Sequence, residues 1–373
     1  MSKQTKLYII AGEASGDLHA SNLMKALLDE DPNIDFRYWG GDKMNDVQEG
    51  MTKHIKDLAF MGFVEVLMNI RTIFKNISFC KNDISEFKPD ALILVDYPGF
   101  NLRIAEWAKA KGIKVYYYVS PQIWAWKQNR VHKIKKIVDQ MFVILPFEKD
   151  FYKKFDYDVE YVGHPLLDEI EKHDFSATNQ AFLSRNNLDE RPIIAVLPGS
   201  RKQEVSKKLP IMLEAVKAHP DYQIVIAGAP SLDTDFYASI DTSVKIIFGE
   251  TYELMYNSTA AVVTSGTATL ETALFKVPEV VCYKGSQISY MIAKRLIKVK
   301  YISLVNLIMD EEVVKELIQA ECTAKNIKAE LNQLISNEKY RSELLKKYDE
   351  LEGVLGGGGA SKKVAQSLLK TIH

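Results

Sequence analysis

Three cysteines in 373 residues, Cys80, Cys282 and Cys322, are too few and too scattered for a disulfide framework or a zinc site. They suit a reducing compartment, and a cytoplasmic protein is expected. Neither charge sign is in excess: 48 Lys and Arg face 49 Asp and Glu, a formal net charge of −1. That balance argues against nucleic acid as a partner, so any basic site must be local. Long apolar runs are missing too. None approaches the roughly 18 residues of a spanning helix. Leu7–Ala11, close behind Met1, is too short for the roughly 7–15-residue apolar core of a secretory leader. The expectation is a soluble chain, at most resting on a membrane surface. There is no Walker loop, no GxGxxG fingerprint, no GxSxG setting for a nucleophile and no internal repeat. What remains is ordinary globular composition, 47% hydrophobic and 26% charged. Its length suits two domains of about 100–200 residues each.

Short apolar runs recur along the chain: Leu7–Ala11, Ala91–Val95, Val115–Val119, Met141–Leu145, Ile193–Leu197, Gln223–Ala227, Ala260–Val263 and Glu279–Tyr283. None alternates polar with apolar, so each reads as a strand buried on both faces, as in parallel sheets. Helical patterns between them predict an α/β chain of doubly wound sheets. A seam at Gly163-His164-Pro165, followed by polar residues, divides it into domains 1–164 and 165–350. After Gly356–Gly359, read as a flexible break, a helix over 360–373 is expected, with Ser361 as N-cap. It would pack on the first domain or on a partner chain, which leaves a homodimer open.

In such sheets ligands bind at the carboxyl ends of strands, and the unusual loops fall there. Gly12-Glu13-Ala14-Ser15-Gly16-Asp17 follows the first strand. Its small residues let backbone N–H groups approach a ligand, although a plain strand-to-helix turn needs the same residues. Asp96-Tyr97-Pro98-Gly99-Phe100-Asn101 places a carboxylate where it can take a proton from a hydroxyl; a turn-forming Asp is the competing reading. Ser120-Pro121-Gln122-Ile123-Trp124-Ala125-Trp126 offers aromatic faces for sugar or acyl groups, or for the core. Lys127–Lys136 carries five basic residues and no acid, which suits a solvated face or an anionic surface. In the second half, Leu197-Pro198-Gly199-Ser200-Arg201 presents a fixed cation for a diphosphate. Ser265-Gly266-Thr267 opens a helix able to hold an anion, and Glu271 one turn on can accept from ribose hydroxyls. Phe63, Val66, Leu67, Ile70, Ile73, Phe74 and Ile77 lie at helical spacing, with Phe60, Met61, Val64 and Met68 widening the apolar surface. Such a helix is buried or dips into a lipid interface.

Gly12–Asp17, Met61-Gly62-Phe63, Asp96–Asn101, Ser120–Trp126, Gly163-His164-Pro165, Leu197–Arg201, Ser265–Ala273 and Leu304-Val305-Asn306 occur in this order in lipid-A-disaccharide synthases, Gln319–Thr323 matches that family's end region, and the chain resembles the family over nearly its whole length. The resemblance implies an inverting glycosyltransferase of the GT-B fold, two Rossmann-like domains facing across a cleft. It implies transfer of 2,3-diacylglucosamine from its UDP derivative to 2,3-diacylglucosamine 1-phosphate, giving a β-1,6-linked disaccharide 1-phosphate and UDP, at the inner face of an inner membrane. By the same resemblance Asp96 is the base and Arg201 stabilises the leaving group. Ser200, Arg201, Ser265, Gly266, Thr267, Glu271 and Asn306 bind the donor. Glu13, Ser15, Gly16, Asp17, Asn101, Gln122 and Trp124 line the acceptor side. Phe63, Val66, Leu67 and Ile70 contact acyl chains or an anionic membrane surface. No metal or other cofactor is expected, and the DxD strings at Asp156 and Asp233 read as surface loops. A UDP-sugar 2-epimerase of the same fold, or a non-catalytic sugar-nucleotide binder, remains the alternative.

Overall fold

A computed structural model describes residues 4–58, 70–173, 175, 179–286, 290–291, 295 and 299–372. The chain divides into two compact units, Met1–Asp168 with Gly357–His373, and Glu169–Gly356. The first contains β1 (Lys6–Ala11), β2 (Asp35–Gly40), β3 (Met51–His54), β4 (Ala91–Val95), β5 (Lys114–Tyr118), β6 (Gln140–Val143) and β7 (Glu160–Tyr161), in the order β3-β2-β1-β4-β5-β6-β7. The second contains β8 (Ile193–Leu197), β9 (Gln223–Gly228), β10 (Lys245–Phe248), β11 (Ser258–Thr264), β12 (Glu279–Tyr283) and β13 (Lys315–Ile318), in the order β10-β9-β8-β11-β12-β13. Every neighbouring pair is parallel.

The expected parallel α/β architecture is therefore present twice. β4 and β8 are buried along their whole length, which is why their sequences read as unbroken apolar runs. The strands that sequence pattern missed are β2, β3, β7, β10 and β13. Four of them are sheet edges or short closing strands, and β2 is next to an edge. Each carries polar residues on an exposed or half-exposed side, as in Asp35-Phe36-Arg37-Tyr38-Trp39-Gly40.

The glycine run is an ordered turn, not a flexible break. Gly356, Gly357 and Gly359 all take positive φ, between +75° and +85°, a conformation open to glycine at no steric cost. Gly356 ends the helix Glu338–Leu355 in the left-handed conformation. The last helix, Ala360–Ile372, is capped by Asp168 and not by Ser361. The Asp168 carboxylate accepts from the N–H groups of Gly359 (2.5 Å), Ala360 (3.3 Å) and Ser361 (3.2 Å). A carboxylate at a helix N-terminus satisfies orphan donors and complements the helix dipole. Ala360, Val364, Ala365 and Leu368 are fully buried, and Gln366 reaches Glu30 of the helix Ala14–Glu30 at 2.8 Å. The tail is thus part of the first unit.

Candidate active site

A sheet of this kind has a switch point where strand order reverses, and the crevice outside the carboxyl ends of those two strands is where ligands bind. In the first unit it lies between β1 and β4, and in the second between β8 and β11. All four motif-bearing loops that sequence singled out for proton transfer or anion binding leave those four strand ends.

At the first switch point the backbone is strained. Asp96 and Tyr97 hold φ of +46° and +47°, and Val119, at the end of neighbouring β5, holds +62°. Each such residue costs on the order of 1–3 kcal/mol and persists only where its surroundings fix it. Those surroundings are identifiable. Asp96 N–H donates to Tyr118 O at 3.1 Å, and the Tyr117 hydroxyl donates to Asp96 O at 2.5 Å. A Cβ on Gly12 would lie 2.3 Å from the Tyr97 ring, so the turn after β1 must be glycine for Tyr97 to sit there. The Asp96 side chain is half-buried. Burial first, and the Glu13 carboxylate second, push its pKa up to about 6.

The residues around this turn divide into two groups. Glu13 is half-buried, and Ser15 and Gln122 are exposed, so these side chains can meet a ligand. Gly16 is buried against Ala11. Asp17 and Trp124 turn their polar atoms to bonds inside the unit, as does the amide nitrogen of Asn101, whereas Asn101 Oδ1 is buried without a hydrogen-bond partner among the described residues. Asp17 accepts from the N–H groups of Gly41, Lys43 and Met44 at 2.6, 3.2 and 3.3 Å, capping the short helix Asp42–Asn45. The Asn101 amide donates to Asp96 O at 2.8 Å and lies 3.3 and 3.4 Å from Val95 O and Ile10 O, so it clips the ends of β1 and β4 together. Trp124 is 6% exposed and donates to Glu148 Oε1 at 3.2 Å.

Glu148 is a residue that sequence reasoning missed. It sits at the third position of the helix Pro146–Lys153 and accepts from Ile144 and Leu145 N–H at 3.2 and 3.0 Å. Burial pushes its pKa up to about 7. The Pro-Phe-Glu start of a helix directly after a strand is the signal that identifies it. His164 is likewise buried; burial, then His19, hold its pKa down to about 3. The neutral ring accepts from Leu166 N–H at 3.2 Å.

At the second switch point the bends fall on glycines. Gly199 takes φ +97° and Gly266 +154°, the latter a region essentially restricted to glycine. Gly266 leads into the helix Thr267–Leu274. Ser200, Arg201, Gly266 and Thr267 are exposed. Arg201 precedes the helix Lys202–Val216 and pairs with Glu204 at 3.1 Å. Ser265 is half-buried and its hydroxyl donates to Ile302 O at 2.9 Å. Glu271 is half-buried, accepts from the Tyr252 hydroxyl at 3.3 Å, and its pKa is raised by burial.

Asn306 departs from expectation. It is fully buried and its amide makes four bonds within the unit. It donates to Val314 O and Glu316 Oε1, both at 2.9 Å, and accepts from Val313 and Val314 N–H at 2.8 and 2.9 Å. No donor or lone pair is left for a ligand. Glu316 also holds Ile302 and Ser303, so Asn306 braces the segment that meets Ser265.

Phe63, Val66 and Leu67 lie outside the described residues. Ile70 opens the helix Ile70–Phe87, and its side chain also lies outside them. On that helix Phe74 is 60% exposed and Phe79 47%. Val131, Ile134 and Ile137 face inward from the basic segment. Lys127 lies over the exposed Trp126 ring at 4.1 Å. No helix among the described residues is long and apolar enough to cross a membrane. Asp233 of one DxD string caps the short helix Thr234–Ala238 through Phe236 N–H at 2.8 Å.

A family model described as lipid-A-disaccharide synthetase matches residues 7–364. The chain is 38% identical to the lipid-A-disaccharide synthase of Trichlorobacter lovleyi over 382 residues, covering 100% of this chain and 99% of that one. It is 39% identical to that of Syntrophus aciditrophicus over 373 residues, covering 98% and 97%. Among solved structures, UDP-GlcNAc 2-epimerase from Neisseria meningitidis bound to UDP-GlcNAc superposes with a TM-score of 0.69 at 16% identity, over 98% of this chain and 100% of that one. The glycotransferase of kitacinnamycin gives 0.69 at 12% identity over the whole of both chains. At such identities the structural likeness concerns the fold, which is of the GT-B type. Full-length identity near 38% concerns descent, and by it the chain belongs to the lipid-A-disaccharide synthase family of glycosyltransferases.

Proposed function

We propose that the protein transfers 2,3-diacylglucosamine from UDP-2,3-diacylglucosamine to the 6-hydroxyl of 2,3-diacylglucosamine 1-phosphate, with inversion at the anomeric carbon and without a metal. The observation that carries this reading is that one unit holds a strained acidic turn, at Asp96, and the other a cationic turn bent on glycine, at Arg201. In the proposed step Asp96 takes the proton of the attacking hydroxyl. A new C1–O bond forms on the β face while the bond to UDP breaks, its electron pair passing to the diphosphate oxygen. Arg201 and the N-terminal N–H groups of Thr267–Leu274 stabilise that charge, the type of contribution that is often the largest in catalysis. Glu271 accepts from ribose. The half-buried Glu13 and the exposed Ser15 and Gln122 meet the acceptor sugar.

The raised pKa of Asp96 supports this role, since a base near the working pH combines availability with driving force. The exposed Phe74, Phe79 and Trp126, with the basic 127–136 segment, support reversible contact with an anionic membrane surface at the cytoplasmic face. The test is acceptor-dependent release of UDP by purified protein given both acylated sugars, with the product's anomeric configuration read by NMR and the assay repeated in EDTA. Acceptor-dependent β-linked product that survives EDTA supports the reading. UDP release indifferent to acceptor favours an epimerase-like reaction. Activity lost to EDTA and restored by Mg²⁺ or Mn²⁺ overturns the metal-free mechanism.

A further inference from the structure

The helix Lys202–Val216 has a lysine where its pattern calls for a core residue. Val205, Lys208, Leu209 and Met212 form its buried stripe, and the Lys208 side chain is 2% exposed. Lysines are almost never buried to this degree unless paired. Lys208 has one ion-pair partner among the described residues, Glu204 Oε2 at 3.6 Å. Glu204 is itself 40% exposed and also serves Arg201 at 3.1 Å. One shared, solvent-screened carboxylate leaves the buried cation incompletely neutralised.

The amine ends beneath the donor turn. A Cβ on Gly199 would lie 3.9 Å from Lys208 Nζ and 3.5 Å from the methyl of Thr264. Thr264 is the last residue of β11, at the switch point itself, and its hydroxyl is buried with no hydrogen-bond partner among the described residues. An incompletely neutralised ammonium and a threonine with an orphan hydroxyl therefore both flank the Gly199 turn, whose glycine leaves room for backbone to approach a ligand. Burial also holds the Lys208 pKa below the ordinary lysine range, against the pull of Glu204.

We propose that Lys208 is a diphosphate-binding residue, supplying from below the Gly199 turn a second positive charge to the β-phosphate of the nucleotide, with the Thr264 hydroxyl donating beside it. The proposal rests on the reading of the second unit as the donor side. Arg201 is exposed and well hydrated, whereas Lys208 is dry, so its attraction to a phosphate is the less screened of the two. The ligand chemistry is that of a nucleoside diphosphate: the β-phosphate, and not the base or ribose, selects for this lysine.

The test is calorimetry of UDP, UMP and uridine on wild type, Lys208→Gln, Lys208→Arg and Thr264→Val, with thermal unfolding of each. A charge-assisted contact to phosphate is worth about 10- to 100-fold in affinity. Lys208→Gln should lose that much for UDP, much less for UMP and nothing for uridine. Lys208→Arg should recover part of the loss, and Thr264→Val should lose UDP affinity several-fold. A folded Lys208→Gln that binds UDP as wild type does, or weakens all three ligands equally, overturns the proposal, because equal loss marks a merely structural lysine. If Lys208→Gln does not fold, an unchanged UDP-to-UMP ratio in Thr264→Val overturns it. Wild-type protein that binds none of the three ligands overturns the donor reading and the proposal together. UDP bound by wild type and equally by a folded Lys208→Gln sinks the proposal alone.

Discussion

At the end of β4 the backbone turns left-handed on residues that carry side chains, Asp96 and Tyr97, with Val119 doing the same on the next strand. At the ends of β8 and β11 it turns on Gly199 and Gly266. The two switch points share a topology and differ in what the local backbone must deliver. On the proposed reading the first turn presents a proton acceptor, which needs a particular side chain in a particular place, and strain there serves to aim a carboxylate. On the same reading the second turn binds an anion, which needs N–H groups and room, and it turns on residues without a Cβ. Charge follows the same division. Asp96 lies near the Glu13 carboxylate, and burial first and that charge second raise its basicity, whereas Arg201 stands at the second turn and, on our proposal, is joined there by Lys208.

The widest separation between the two should come from Asp96→Asn. It should lower turnover by about 100- to 10,000-fold and leave UDP affinity within a factor of about two, measured by steady-state rates and calorimetry on one preparation. Comparable loss of UDP binding would merge the two sites into one. Glu271→Ala should do the reverse. UDP affinity should fall by about tenfold through lost ribose hydrogen bonds, each worth about 1 kcal/mol or somewhat more when charge-assisted. Turnover at saturating donor should stay close to wild type. Wild-type UDP affinity in Glu271→Ala would remove the ribose assignment. The finest effect is expected from Glu13→Gln. Asp96 must be ionised to act, so the rate should fall as pH drops through about 6. Removing the Glu13 charge removes one cause of the raised pKa, so that acid limb should move to lower pH. A limb that stays in place, or moves up, would show that the two carboxylates do not communicate.

Much of this division was legible in the sequence, because local chemistry writes it. The central strands are buried on both faces and appear as unbroken apolar runs. The loops at their ends carry Asp96, Arg201 and Ser265 in recognisable turns, with Glu271 on the helix that follows the last of them. What sequence did not show is which polar residues the fold consumes. Asp17 binds the backbone of residues 41, 43 and 44, and Asn101 reaches back to Ile10. Asn306 is claimed by residues 313, 314 and 316. Each looked like a ligand-binding group because nothing nearby in the chain announced its partner. Asp168 shows the same limit over a longer span. Local pattern chose Ser361 as the cap of the last helix, while the fold brings a carboxylate from 193 residues away. Lys208 is the converse case. It reads as one more surface lysine in Lys207-Lys208 until the helix's buried face is known. The edge strands escaped for a simpler reason, since half-exposed strands mix polar with apolar residues and lose the signal that marks the centre.

The division of labour is tested most directly by the single-turnover rate as a function of pH, with both acylated substrates saturating, for wild type and Arg201→Ala side by side. Both should lose rate through the same acid limb near pH 6, with Arg201→Ala lower by a constant factor of about 10² at every pH, as for loss of a charge-stabilising group. A limb that shifts when Arg201 is removed, or a wild-type profile with no limb at all, would contradict that division.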